Sequence, residues 1–177
     1  METIYLTGYH GTGKSIIGKM LASRKNLPYI DTDLYVKEEL QKKSIDAKNV
    51  EQQKKEIEKE LLKNFITQGM VVVLGAEIVD DYENIHNIKT KGRVIYFRAK
   101  PSTIYTNLQD EYTNIPSLKN AFSIFNIEKN VKIYEPYYEE LANYILDVDE
   151  KSIKQLITEL IAIYNIINKR KCHIYIK

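Results

Sequence analysis

The sequence has little of the residues on which several classes of protein depend. Its 177 residues include one cysteine, no tryptophan and only four arginines. The single thiol, Cys172, excludes an internal disulfide and favours a reducing, cytoplasmic location. The three histidines, at positions 10, 86 and 173, are scattered along the chain. The sequence therefore offers no histidine–cysteine cluster of the kind that binds transition metals.

Long apolar runs are missing as well. No segment reaches the ~20 continuous apolar residues of a membrane span, and a strand pattern begins almost at the first residue. We therefore expect no membrane partner and no secretory leader. The formal net charge of +2 argues neither for nor against a polyanionic partner. Because the tyrosines show no spacing typical of a base-stacking platform, we expect no nucleic-acid partner.

The remaining composition is that of a globular chain. Hydrophobic residues make up 44% and charged residues 28% of the sequence, which is ordinary for a soluble domain with its own core. We expect one domain over residues 1–168, acting as a monomer. Residues 169–177 are basic and then alternating; they could form an added edge strand or an unstructured tail.

Three of the seven glycines fall within one short stretch, Gly8–Ser15, which reads G-Y-H-G-T-G-K-S. It matches the phosphate-binding pattern G-x-x-x-x-G-K-[ST] in full. The apolar run Thr3–Thr7 before it predicts a buried strand, and the spacing of Ile16–Ala22 after it predicts a helix. Strand, glycine-rich loop and helix together predict a P-loop that binds the phosphates of a nucleotide.

The loop would bind phosphate mainly through its backbone. Glycines permit backbone angles that point successive N–H groups into one concavity at the start of a helix. Lys14 is expected to contact the β- and γ-phosphates and to act in catalysis, and the Ser15 hydroxyl to bind Mg²⁺. The candidate nucleotide-binding residues are Gly11, Thr12, Gly13, Lys14, Ser15 and Ile16.

Two carboxylates follow the second predicted strand, Tyr29–Ile30. Ligands of an open parallel sheet bind beyond the carboxyl ends of its strands, so Asp31 and Asp33 are placed to face the P-loop. We expect Asp31 to hold a water of the Mg²⁺ shell, and Asp33 to orient or deprotonate an acceptor hydroxyl. Alternatively, Asp33 caps a helix beginning at Leu34.

The rest of the chain alternates helices and apolar strands. Two helices over 34–68, broken near 44–50, include a charged stretch that could be a solvated face or a lid over the acceptor. The loop at 111–119 is a further candidate lid, and a kink or restart is expected at Pro136. Strands are predicted at 70–74, 93–98 and 144–146, and further helices at 78–88, 101–110, 122–135 and 153–164.

The P-loop, the Asp31–Asp33 triplet and the strand ending at Gly75 together resemble the shikimate kinases, members of the nucleoside-monophosphate-kinase group. Asn26–Asp33 is similar to that family's second strand, and Glu135–Asn143 to its P-L-Y-x-E-x-A-D segment. The resemblance implies an α/β P-loop NTPase fold with a five-stranded parallel sheet, flanking helices, acceptor-binding helices and a lid. It also implies ATP and Mg²⁺ as co-substrates and phosphoryl transfer to a small-molecule hydroxyl, which in the family belongs to shikimate.

The chain departs from the family pattern at the acceptor site. Three glycines expected after the third strand read Gly75-Ala76-Glu77, and the arginine of the acceptor helix falls at Lys54 or Lys55. The arginine of the lid falls at 114 or 115, and the one before P-L-Y at Tyr134. With Asp33, the candidate substrate residues are Lys54, Gly75, Ala76 and Glu77.

The missing arginines weigh against an acceptor that carries a carboxylate. Each charge-assisted hydrogen bond contributes about 1.5–3 kcal/mol, and Glu77 adds a like charge, so a neutral or cationic hydroxyl compound is favoured over shikimate. Lys54 or Lys55 could compensate, or pair with Glu77. Lys119, Lys129 or Lys132 could replace the lid arginine. The alternative function is a nucleotide-binding protein that has lost efficient catalysis and acts through a partner or a conformational switch.

Overall fold

A computed structural model describes residues 1–43, 49–113 and 123–169. A π-helical turn at Leu61–Phe65 and a 3-10 turn at Ala76–Asp80 join regular elements. The strands are β1 Thr3–Thr7, β2 Tyr29–Asp31, β3 Val71–Val73, β4 Gly92–Arg98 and β5 Tyr144–Asp147. The helices are α1 Lys14–Lys25, α2 Thr32–Lys43, α3 Val50–Glu60, α4 Tyr82–Lys91, α5 Pro101–Thr113, α6 Ile124–Leu141 and α7 Ile153–Lys169.

The five strands form one parallel sheet in the order β2-β3-β1-β4-β5. All five residues of β1 are buried, as expected of a central strand covered on both faces. Its Ile4 lies in register with Val71 on one side and with Arg93 on the other. The prediction of a five-stranded parallel sheet is confirmed.

Helices cover both faces of the sheet, and each face has its own core. On one face, Leu6 belongs to a cluster with Leu21 of α1 and Leu160 of α7. On the other, Tyr5 belongs to a cluster with Leu62 of the π-helical turn and Tyr138 of α6. Successive side chains of β1 therefore pack into the cores on opposite faces, so the sheet lies between two layers of helices.

Some element boundaries differ from the sequence prediction. The helix expected from residue 78 begins at Tyr82 instead, because the carboxylate of Asp81 accepts hydrogen bonds from the backbone N–H groups of Glu83 and Asn84. The restart expected at Pro136 is wrong, since α6 continues through it. Buried Tyr138, beyond the proline, holds the last turns of α6 against the sheet.

Several predictions concern parts of the chain that the structure does not describe. The break near residues 44–50 lies mostly there, as do residues 114–119 of the candidate lid and 170–177 of the tail. Residues 111–113, expected in that lid, belong to α5. The single-domain and monomer expectations stay predictions.

Gly18 allows α1 to lie close to the sheet. A Cβ added there would lie 2.8 Å from Leu6 Cδ1 and 2.9 Å from Val73 Cγ2. We predict that Gly18→Val lowers the free energy of unfolding by about 2–3 kcal/mol through overpacking, measured by urea denaturation. Ser23→Ala, at an exposed site of the same helix, should change it by less than about 0.5 kcal/mol. Equal stability of the two variants would contradict this packing.

Candidate active site

The P-loop connects β1 to α1 and has the backbone conformation that its glycines predict. Gly11 and Gly13 have φ of 77° and 82°, in the left-handed region where side chains are disfavoured. Lys14 is buried, and its Nζ donates to the carbonyl oxygens of Gly8 at 2.6 Å and Tyr9 at 2.8 Å. Burial lowers the pKa of Lys14 to about 8 against the opposing charges of two aspartates. The loop thus holds a desolvated cation at the start of α1.

Ser15 and Asp31, the two residues predicted to hold Mg²⁺, contact each other directly. Ser15 Oγ donates to Asp31 Oδ2 at 2.7 Å. The other oxygen, Oδ1, accepts from the backbone N–H groups of Asp33 at 3.2 Å and Leu34 at 3.4 Å. Asp31, rather than Asp33, therefore caps α2, and the capping alternative for Asp33 is wrong. A hydroxyl beside a carboxylate is a donor set that suits Mg²⁺.

The side chain of Asp33 is left available at the carboxyl edge of the sheet. Its Oδ2 lies 4.0 Å from His10 Nδ1, and 43% of the side chain is exposed. Burial and the charge of Lys14 lower the pKa of His10 despite the opposing effect of Asp33, so the imidazole is neutral at pH 7. Gly75 packs against the Asp33 carboxylate so closely that no Cβ would fit between them. Asp33 therefore has a position defined by its neighbours without an ion pair.

A cavity of about 750 Å³ extends from the P-loop to the ends of β3 and β5. It is lined by all the predicted nucleotide-binding residues, including Ile16, and by Asp33. It also contains residues that the sequence analysis missed. Asn107 of α5 donates from Nδ2 to the Gly11 carbonyl at 2.8 Å, and Val148 and Lys151 follow β5. The rule that ligands bind beyond strand ends, applied to β5, would have indicated the last two.

The acceptor side is dominated by an ion pair between Lys54 of α3 and Glu77 of the 3-10 turn. Lys54 Nζ lies 2.7 Å from Glu77 Oε2, and this hydrogen bond lowers the pKa of Glu77. Lys54 and Asp33 line one cavity beside α2. Ala76 is buried, and its carbonyl accepts from Tyr138 Oη at 2.8 Å. The structure thus brings Asp33, Lys54, Gly75 and Glu77 together, whereas Ala76 packs toward the core.

Glu58 of α3 is a residue of this region that the sequence analysis did not single out. It is 5% exposed, and burial raises its pKa to about 7, aided by Asp33 and Glu77 and opposed by Lys54. Its spacing from Leu61 and Leu62, three and four residues on, places it on the buried stripe of the helix. That spacing was the available signal. A carboxylate on an apolar stripe is unusual enough to indicate a functional role.

None of the arginines that the structure describes lines these cavities. Arg24 ends α1, and Arg93 lies in β4. Arg98 binds Asp147 through Nε at 2.6 Å and Nη2 at 3.1 Å. Tyr134, where the family has an arginine, donates to Asp80 Oδ2 at 3.1 Å. Within the described residues, the acceptor side has lysine and acidic groups in place of a guanidinium clamp.

Comparison with known proteins identifies the family. The family model described as shikimate kinase matches residues 10–165. The shikimate kinase of Bacillus cereus strain G9842 is 34% identical over 166 residues, covering 90% of this chain and 96% of the relative. This chain belongs to the shikimate kinase family. It is accordingly an ATP-dependent small-molecule kinase that transfers phosphate to an alcohol, in a family that uses Mg²⁺.

Solved structures agree on the fold. The shikimate kinase from Acinetobacter baumannii in complex with shikimate has a TM-score of 0.78 at 20% identity and covers 93% of each chain. A gluconokinase from Sinorhizobium meliloti has a TM-score of 0.63 at 14% identity, covering 98% of each. The P-loop kinase fold is thus shared with enzymes named for different acceptors. In the described part of this kinase, no helix is long and apolar enough to cross a membrane.

Gly75→Ala tests the position of Asp33. We predict a 10- to 100-fold loss of kcat/KM for the acceptor, on the order of the loss of one charge-assisted hydrogen bond, because the new Cβ displaces the Asp33 carboxylate. The backbone φ of −59° at Gly75 is suitable for alanine, so stability should change little. In steady-state kinetics, the double variant with Asp33→Ala should lose no more than Asp33→Ala alone. Additive losses would contradict the mechanism.

Glu58→Gln should alter the pH dependence of stability. Because the pKa of Glu58 is raised from 4.5 to about 7, the folded state binds more protons than the unfolded state between these values, and wild-type stability falls as the pH rises through them. The neutral variant should match wild type near pH 4 and exceed it by about 1–2 kcal/mol above pH 7. Urea denaturation across pH measures this. Glu56→Gln, exposed on the same helix, should show no such trend, and a pH-independent difference for Glu58→Gln would contradict the assignment.

Proposed function

We propose that this kinase transfers the γ-phosphate of MgATP to a hydroxyl that rests against Asp33, on a small polar acceptor recognised without a carboxylate. The observation that carries the proposal is the convergence of three groups at one edge of the sheet. Lys14 and Asp33 line a single cavity with the P-loop, and Ser15 is bonded to Asp31 beside them. Phosphoryl transfer to an alcohol requires a cation, a pair of oxygen ligands for Mg²⁺ and a carboxylate that can accept the proton of the hydroxyl.

Each residue has one task in this proposal. The backbone of Gly11–Gly13 and the ammonium of Lys14 hold the phosphates and stabilise the charge that develops during transfer. Asp33 orients the acceptor hydroxyl and takes its proton as the new oxygen–phosphorus bond forms and the bond to the ADP oxygen breaks. Neutral His10, 4.0 Å away, leaves the negative charge of Asp33 intact. ADP and a phosphate monoester are the products.

Ser15 and Asp31 are the residues that would hold Mg²⁺, directly and through a water respectively. A bound ion would neutralise charge on the phosphates during transfer. Asp31 also keeps its bonds to the start of α2, so the metal donors and the Asp33 backbone form one connected unit. A cytoplasmic site of action belongs to the same proposal.

The acceptor side supports recognition of a compound other than shikimate. The Acinetobacter relative was solved with shikimate, whose carboxylate calls for a cationic partner. Here Lys54 is engaged by Glu77 at 2.7 Å, and buried Glu58 lies on the same helix. A carboxylate would have to displace the Glu77 carboxylate from Lys54, and would then meet it as a like charge. We therefore expect shikimate to be a poorer phosphoryl acceptor than compounds that carry no carboxylate.

Lys14→Met tests the catalytic assignment. We predict a loss of kcat of about 10³-fold or more, since methionine retains length and apolar bulk without the cation. ADP release, followed with MgATP and a panel of polyols, amino alcohols, quinate and shikimate, measures the change. Lys19→Met, on α1 but outside the cavity lining, is the matched control and should keep wild-type kcat.

Two results would contradict the proposed function. Most of the activity surviving in Lys14→Met would remove the role given to that lysine. Tight MgATP binding with no acceptor-dependent ADP release by wild type would instead favour the alternative, a nucleotide-binding protein without efficient catalysis. Shikimate as the preferred member of the panel would overturn the acceptor part alone.

A further inference from the structure

A third cavity, of about 260 Å³, lies between α3, the 3-10 turn and α4. Its lining contains five carboxylates and two lysines: Glu51, Glu58, Glu77, Asp80, Asp81, Lys54 and Lys55. An excess of acidic groups is common on solvated surfaces and identifies no ligand by itself. What matters is which of these groups already have partners.

Three of these seven charged groups form ion pairs within the described residues. Lys54 binds Glu77 at 2.7 Å, and Asp81 binds Lys59 at 2.8 Å besides capping α4. Asp80 accepts one hydrogen bond from Tyr134. Lys55 also lines the cavity, and the charge of Lys54 acts on Glu58, but neither lysine forms an ion pair with Glu58 within the described residues.

Two residues on that inner wall, both largely buried as whole residues, accept no side-chain hydrogen bond within the described part of the chain. Glu58 is 5% exposed and takes part in none of the hydrogen bonds or ion pairs found there. Asn84 is 1% exposed, and its Oδ1 accepts no hydrogen bond, although Nδ2 donates to the Ile78 carbonyl at 3.4 Å. The Asn84 Oδ1 atom is itself buried, and a buried oxygen without a donor is unfavourable unless a ligand or water satisfies it. Both line the same cavity, so an occupant with N–H donors and a positive charge would satisfy both.

A metal ion suits this cavity less well than an organic cation. The described part of the chain contains no group of three histidine, cysteine, aspartate or glutamate side chains arranged to hold a metal. An ammonium group accepts looser geometry, because it is a compact charge with three rotatable donors. One carboxylate and one amide oxygen in a buried setting match such a head group.

The cavity adjoins the place where the acceptor hydroxyl would react. Lys54 lines both this cavity and the one that contains Asp33. The charge of Asp33 also reaches Glu58, whose pKa it helps to raise. A small molecule with a hydroxyl at Asp33 could therefore extend toward Glu58 and Asn84.

We infer that this cavity binds an ammonium group of the acceptor through Glu58 and Asn84, so that the compound phosphorylated is an amino alcohol. The inference rests on the proposed function for the hydroxyl end of the acceptor. It assigns the cationic end to residues on α3 and α4, and it makes Glu58 a specificity-determining residue. The Lys54–Glu77 pair then closes the side of the site where a carboxylate would otherwise bind.

Binding of the head group is tested without nucleotide. Ethylammonium chloride is titrated into ¹⁵N-labelled full-length protein while the side-chain amide signals of Asn84 are followed by NMR. We expect a saturable shift in wild type, a Kd raised about tenfold or more in Glu58→Gln, and an unchanged Kd in Glu56→Gln. Sodium propionate and ethanol at the same concentrations should produce no saturable shift. No saturable shift with ethylammonium, or the same Kd in Glu58→Gln, overturns the inference.

Turnover is tested with a pair of acceptors that differ in one amino group. Serinol should support acceptor-dependent ADP release with kcat/KM about tenfold or more above that of glycerol, and Glu58→Gln should abolish this preference mainly through the KM for serinol. Glycerol or shikimate used as well as serinol overturns the inference. If ethylammonium binds saturably but no acceptor stimulates ADP release, the ammonium site is supported and the proposed function is contradicted. The two failures can therefore be told apart.

Discussion

Parallel pairing of β1 with β3 on one side and β4 on the other is the constraint on which the site depends. This pairing brings the carboxyl ends of all five strands to one edge of the sheet. The P-loop leaves β1, Asp31 ends β2, and Gly75 follows β3 at that edge. Residues that are 60 or more positions apart in sequence are thereby placed close together. The residue that follows each strand therefore determines part of the chemistry of the site.

The same edge holds charges that folding alone would not favour. Lys14 is buried with its pKa lowered to about 8, and Glu58 is buried with its pKa raised to about 7. Both shifts have desolvation as their main cause, and both reduce stability near neutral pH. The core on the two faces of the sheet, with Tyr5, Leu6 and their neighbours fully buried, offsets these unfavourable terms. Charges retained against such a penalty are expected where ligands bind.

Much of this arrangement could be predicted from sequence because it depends on local patterns. The P-loop is contiguous, and Asp31 could be expected to face it because both follow strands that end at the same edge of the sheet. Glu58 could not be placed in the same way, because its burial depends on how α3 packs over the sheet. The alternative in which Asp33 caps α2 could not be excluded from the sequence for a similar reason. Asp31 and Asp33 both lie within reach of the first turn, and the Ser15 contact is what settles the orientation of Asp31.

Under the proposed function, the acceptor site changes its preferred charge through few replacements on an unchanged fold. Where the family resemblance places arginine, this chain has lysine on α3 and a tyrosine at 134 bonded to Asp80. A lysine offers one point charge without the planar fork that grips a carboxylate. Glu77 engages Lys54, and the charge of Lys54 only partly opposes the raised pKa of buried Glu58 on the same helix. The backbone cradle for phosphate needs no change, because it is built on β1 and α1, outside the elements that carry these replacements. Nucleotide chemistry and acceptor choice are therefore separable properties of this sheet edge, and the second can change while the first stays constant.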